Sequence, residues 1–121
     1  MKDSAFHMTM LYDFYGDLLT DRQKEFYDLY YNEDFSLAEI AENAGITRQG
    51  VRDVLVRAEA ILNEMEEKTG IIRRFLEVQK GLEAIQEDAQ QIAALNRSQF
   101  HSLQLEELIG DIQRKTAELK E

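Results

Sequence analysis

The stretch SLAEIAENAGITRQGVRDVLVRAE, residues 36–59, gathers side chains that can recognise another molecule. Thr47, Arg48, Gln49, Arg52, Asp53 and Arg57 fall within one helix-sized segment. Arginine can donate two parallel hydrogen bonds to the edge of guanine, and glutamine can read the donor and acceptor of adenine. Thr47 and Arg57 suit phosphate oxygens. With the apolar positions of the segment turned inward, Arg48, Gln49, Arg52 and Asp53 face outward near its start, where recognition helices meet base edges. The chemistry these groups imply is hydrogen bonding and charge recognition.

Holding such side chains in place calls for two helices crossing steeply through a short turn. Ser36 opens the first with Glu39 three residues on, a capping box, and Phe35 with Ile40 can staple the chain where it enters. Ala38, Ile40, Ala41 and Ala44 supply its buried side. Ala41 is the small residue that a close crossing needs, and Gly45 is the residue that tolerates positive φ in the turn. Val51 is the branched apolar residue facing inward from the second helix, with Ile46 and Val54 beside it. Thr47 caps that helix. Gly50 lowers its propensity by about 1 kcal/mol relative to alanine, which the caps outweigh. The constrained positions from Ser36 to Val54 match a helix-turn-helix.

The flanking sequence is helical in pattern as well. Phe6, Met10, Phe14 and Leu18 recur at every fourth position and predict a helix over Ser4–Leu19 with that face buried. Thr20 with Gln23 forms another capping box. The helix after it carries Phe26, Tyr27, Tyr30 and Tyr31 on a broad aromatic face and should end near Asn32. These tyrosines could stack bases, but core packing with hydroxyls at the rim is the better reading. Beyond the helix-turn-helix, Val51, Val54, Ala58, Ile61 and Met65 keep helical spacing until a break at Thr69–Gly70. Ile71, Phe75, Val78, Leu82, Ile85, Ala89 and Ile92 then form a heptad-like seam. Asn96-Arg97-Ser98 suggests a turn, with Ser98 capping a last helix that carries Leu105, Leu108, Ile112 and Leu119, with Ile109 beside them.

The reading is all-α: a helix-turn-helix domain over residues 1–68 and a C-terminal helical dimerisation extension over residues 69–121. The seam is too short to stand alone and needs a partner. The last helix can cover part of it, and the expected assembly is a homodimer or higher homo-oligomer, as suits binding to two half-sites.

The segment LLTDRQKEFYDLYYNEDFSLAEIAENAGITRQGVRDVLVRAEAIL resembles region 4 of bacterial sigma factors, which reads the promoter −35 element. Together with the YDFYGDLLT lead-in and the acidic helical tail, the whole chain resembles the YlxM-type family of small bacterial helix-turn-helix proteins. The resemblance implies binding to double-stranded DNA. Because genes of that family lie beside those of the signal recognition particle GTPase and its receptor, it also implies a role in regulating that pathway. The alternative it leaves open is an adaptor that binds the particle's protein or RNA. It implies no catalytic residue. The chain lacks the polymerase-binding and −10-reading segments of a complete sigma factor.

Charge bears on both readings. The 121 residues carry a formal charge of -10, which argues against a strong non-specific nucleic-acid binder. The charge is uneven: residues 1–35 balance to −5, residues 36–60 to −1 and residues 61–121 to −4. Thr47 to Ala58 alone carries +2. The chain has no cysteine, which excludes disulfides and thiolate metal sites and fits a reducing cytoplasm. No apolar run approaches the roughly 20 residues that span a bilayer, and MKDSAFHMTM has no signal-peptide core, so a cytoplasmic protein with no membrane partner is expected. His7 and His101 have no acidic or histidine partner at i+4, and paired acids such as Glu66-Glu67 read as solvated helix surface. No metal, cofactor or catalytic residue is expected, and no enzyme.

Overall fold

Side-chain caps set where the helices begin. Thr20 Oγ1 accepts from the Gln23 amide at 3.2 Å while the Gln23 side chain accepts from the Thr20 N–H at 2.9 Å. Ser36 and Glu39 repeat the exchange at 3.1 Å in both directions. Thr47 Oγ1 accepts from the Gly50 N–H at 3.0 Å. Each cap satisfies backbone donors that a helix start would otherwise leave open.

The structure, a computed structural model, describes residues 2–120. It is all-α: α1 (Lys2–Tyr15), α2 (Asp21–Tyr27), α3 (Leu37–Ala44), α4 (Arg48–Thr69), α5 (Ile71–Leu95) and α6 (Leu103–Lys120), with no strand among the described residues. A 3-10 turn follows α1, and π turns at Asp28–Asn32 and Asn96–Phe100 extend α2 and α5. The chain divides into two compact units, Met1–Ile72 and Arg73–Glu121.

In the first unit α4 is the central element, packed against α1, α2 and α3. It buries Val51, Leu55, Ala58 and Leu62, with Val54, Ile61 and Met65 half-buried at the flank. The inward stripe therefore runs through Leu55 and Leu62, which the sequence reading did not pick. Tyr27 is fully buried, stacks on Tyr12 with ring centroids 5.2 Å apart, and donates its hydroxyl hydrogen to the Met8 carbonyl. Tyr31 donates to Glu59. The aromatic face is packing surface, and the Tyr27 and Tyr31 hydroxyls on it find acceptors.

The expected face of α1 is corrected. Phe6, Phe14 and Leu18 are exposed, and the buried row is Met8, Leu11, Tyr15 and Leu19. MTMLYDFYGDLL is apolar enough around the helix to support either row, so periodicity alone could not choose. Tertiary partners decide it: the Met8 carbonyl receives Tyr27, and Tyr15 donates to Glu66 Oε1 at 2.6 Å.

At the end of α4, Gly70 adopts φ 63° and breaks the helix. Ile72 still belongs to the first core, with its N–H on Glu66 Oε1 at 2.9 Å. In the second unit α5 and α6 run antiparallel. The cap of α6 is Ser102 rather than Ser98: Ser102 Oγ accepts from the Leu105 N–H at 3.2 Å, whereas Ser98 donates to the Leu95 carbonyl. The π turn carries the helix past the predicted reversal, which His101 makes at φ 51°. Among the described residues no helix is long and apolar enough to cross a membrane.

Candidate nucleic-acid interface

The candidate surface is built on the α3–α4 corner. α3 ends on Gly45, at φ 70°, a left-handed conformation that a Cβ would strain. The Ile46 N–H then donates to the Ala41 carbonyl at 3.1 Å and tightens the turn. Ala41 is buried at the crossing, and Val51 is wholly buried one turn into α4. Gly50 has a local reason too. A Cβ there would sit 3.2 Å from the capping Thr47 Oγ1 and 3.4 Å from Ile46 Cδ1.

With that stripe inward, Thr47, Arg48, Gln49, Arg52, Asp53 and Arg57 are all exposed. At about 100° per residue, Arg48 and Arg52 fall on one flank of α4 and Arg57 on the other, with Gln49, Asp53 and Val56 between them. Gln49 Nε2 donates to Asp53 Oδ1 at 2.9 Å, which leaves the Gln49 carbonyl and one amide hydrogen free. Thr47 lies at the edge with its hydroxyl engaged in the cap.

Two further residues join this surface that the sequence reading missed. Val56 is 51% exposed at the middle of the outward face, an apolar group among polar ones. Arg22, on α2, shares with Arg57 a concavity of about 210 Å³, also lined by Thr20, Gln23, Asp53 and Val54. Its guanidinium sits over the Phe26 ring, 5.3 Å from the centroid. A signal for Arg22 was present in the sequence. It is a cation in the first turn of a helix, where the backbone dipole favours an anion, and Arg48 breaks the same rule on α4.

Charge separates these arginines from their neighbours. In the first unit Lys24 pairs with Asp17 and Lys68 with Glu64. Among the described residues Arg22, Arg48, Arg52 and Arg57 form no ion pair. Four cations on and beside the first half of α4 stay unneutralised in a chain where acids outnumber bases 24 to 14.

A family model described as "Putative helix-turn-helix protein, YlxM / p13 like", UPF0122, matches residues 2–103. A UPF0122 protein of Thermoanaerobacter sp. (strain X514) is 42% identical over 119 residues, which is 98% of this chain and 98% of that protein. One from Caldanaerobacter subterraneus subsp. tengcongensis is 51% identical over 87 residues, covering 72% of this chain and 74% of its own length. One from Acetivibrio thermocellus is 52% identical over 75 residues, 62% of this chain and 64% of its own.

Proposed function

This chain belongs to the UPF0122 family, and on that premise we propose that it is a sequence-specific DNA-binding regulator that sets the start of α4 in the major groove. The observation that carries the reading is the set of arginines without ion pairs on and beside the first half of that helix. Counterion release from DNA rewards cations that are free to meet phosphate, and a cation already paired with a carboxylate gains less. Arg48, Arg52 and Gln49 read base edges, and Val56 suits the methyl group of thymine. Asp53 orients Gln49. Arg57 and Arg22 hold phosphates on the far flank, and Thr47 fixes the helix start beside the backbone. The protein acts in the cytoplasm, by binding rather than catalysis, with two subunits on two half-sites. The acidic remainder keeps non-specific affinity low, so discrimination rests on a few base contacts.

Selection from a random duplex library, followed by titration, tests this. Replacing Arg48 and Arg52 by alanine should lose about 2–6 kcal/mol of binding to the selected duplex, at 1–3 per base-reading arginine, with helicity unchanged. Arg22→Ala and Arg57→Ala should weaken all sequences evenly, each lowering the salt slope by about one. A selection that enriches no sequence at low salt would overturn the reading.

A second reading rests on the acidic side. Residues 1–35 balance to −5, and Asp13 and Asp17 are exposed there. Such a surface suits a basic protein, while the arginines of α4 could grip RNA phosphates by shape. On this reading the chain is an adaptor on the protein or RNA of the signal recognition particle and regulates that pathway through it. Reversing Asp13, Asp17 and Asp28 to lysine would abolish salt-sensitive binding to purified particle components, but leave duplex binding intact or stronger. Wild-type protein that binds no such component at physiological salt would remove the second reading.

A further inference from the structure

The hairpin of α5 and α6 carries two apolar rows and covers one. Asn96 sets its register: its side chain donates to the Ser102 carbonyl at 2.9 Å and accepts from the Ser102 N–H at 2.8 Å. Stepping seven residues from that pair along antiparallel helices brings Ala89 opposite Ile109, then Leu82 opposite Thr116. Those residues, with Asn96, are the buried ones among the described residues of this unit. A buried asparagine at one core position is a known way to fix register. Lys120 reaches Glu83 at 3.5 Å, in keeping with the same alignment.

The second row lies three residues beyond the first on both helices. It pairs Ile92 with Leu105, Ile85 with Ile112 and Val78 with Leu119. In an antiparallel pair an equal offset on both helices turns both rows to the same side of the hairpin. These side chains therefore form one apolar face. Ile92, Ile85 and Val78 are 43%, 47% and 42% exposed, Ile112 and Leu119 39% and 67%, and Leu105 is half-buried.

We propose that this face is the contact surface of a homodimer, in which two hairpins close into a four-helix bundle. Three observations select a second copy as the occupant. The first is the row itself: a seven-residue repeat on both helices is the spacing that interlocks with another helical surface of the same repeat. In either two-fold stacking of two such hairpins every neighbouring helix pair is antiparallel, as in up-down bundles.

The second is charge. Residues 73–121 hold seven basic and nine acidic groups, a balance of −2, whereas residues 1–72 carry −8. Two copies of the hairpin repel each other little, and a basic foreign partner would be drawn to the other unit instead. The third is area. With α6 18 residues long, the face is about 27 Å long and about 20 Å across two helices, on the order of 500 Å² in outline. Two such faces together bury on the order of 1,000 Å², the level at which specific interfaces begin. The covered row, with Leu82, Ala89 and Ile109 as its buried apolar residues among those described, is a small core by itself. A partner made with the chain completes it.

Sedimentation equilibrium of the full chain at micromolar concentration should give twice 14.1 kDa. Ile85→Lys with Ile112→Lys should halve that mass while the first unit keeps its helicity. The chain has no cysteine, so one thiol can report on each face. Ile85→Cys should be alkylated several-fold more slowly than Glu87→Cys, which lies on the outer side of α5, and should lose that protection on dilution. This comparison decides the matter even where the lysine variant unfolds. A monomer mass for wild type, a dimer that survives both lysines, or equal alkylation at the two positions would each overturn the proposal. None of these readouts involves DNA, so they stand apart from the test of the regulator reading.

Discussion

The two units have opposite surpluses. The first closes a core in which Leu11, Tyr27, Val51 and Leu62 are wholly buried, leaves only scattered apolar residues such as Phe6 and Leu18 exposed, and keeps arginines free of ion pairs on and beside the first half of α4. The second pairs Lys115 and Arg114 with Asp111, whose carboxyl pKa is lowered chiefly by the Lys115 hydrogen bond, and leaves an apolar row half-exposed. A rigid, closed core suits a site that must present side chains in fixed geometry. An open apolar row suits adhesion. On the two proposals, recognition and association fall to different parts of the chain, each by the kind of group that part leaves unsatisfied.

The comparison breaks most visibly in the cores. Leu62→Ala removes a fully buried side chain from the middle of α4 and should destabilise the first unit by about 3–4 kcal/mol, whatever the protein concentration. Leu82→Ala should cost about 2 kcal/mol, since its surroundings are more open and can collapse onto the gap. On the dimer proposal the second loss varies with protein concentration, by mass action. Chemical denaturation at two concentrations checks both. Equal losses, neither moving with concentration, would erase the distinction between the units.

The same contrast explains what was legible beforehand. Caps are local chemistry, so Thr20, Ser36 and Thr47 could be placed from residue type and a three-residue offset, as could the turn at Gly45. The exposed positions of α4 followed once Val51 pointed inward. The row of α1 could not be chosen, because that helix is apolar around most of its girth and only Tyr27 and Glu66, distant in sequence, decide which side is buried. Arg22 and Val56 were missed for a related reason. One belongs to the surface through a concavity between two helices, and the other is an apolar residue whose exposure no local pattern announces. On α5 the heptad row was legible, as was its partial cover by the last helix, but not which of its two strips stays open.

An intermediate effect should come from alkali, and it should fall on the first unit alone. All five tyrosines lie in residues 1–72. Burial, and for Tyr15 and Tyr31 a hydrogen bond to Glu66 and Glu59, raises the hydroxyl pKa of Tyr15, Tyr27 and Tyr31 above the usual tyrosine value. In the unfolded chain these groups ionise near 10. The folded form binds more protons once the pH passes that value, so the stability they contribute is complete below about 10 and declines as pH rises beyond it. Far-ultraviolet and near-ultraviolet dichroism across this range should show the tyrosine environment lost while helical signal from the second unit persists. Tyr31→Phe should make the loss less steep. A stability unchanged well above pH 10 would contradict the burial of these hydroxyls.

The smallest effect is the most local, and it joins stability to the recognition surface. Thr47→Ala removes the cap of α4 and should cost about 1 kcal/mol, with Thr47→Ser restoring most of it. Gly50→Ala should gain up to about 1 kcal/mol from helix propensity. In the native chain, however, the new Cβ would crowd the Thr47 hydroxyl at 3.2 Å, so the gain should be largely cancelled. Once Thr47 is alanine the closest contact is gone and only Ile46 Cδ1 at 3.4 Å remains, so Gly50→Ala should then stabilise more. The two changes are therefore coupled, by about 0.5–1 kcal/mol in a double-mutant cycle of thermal or urea unfolding. Additive changes would mean that Gly50 is not there to make room for the cap. Coupled changes would mean that the helix start bearing Arg48 and Gln49 keeps a weak helix former in its first turn so that Thr47 can fix where that turn begins.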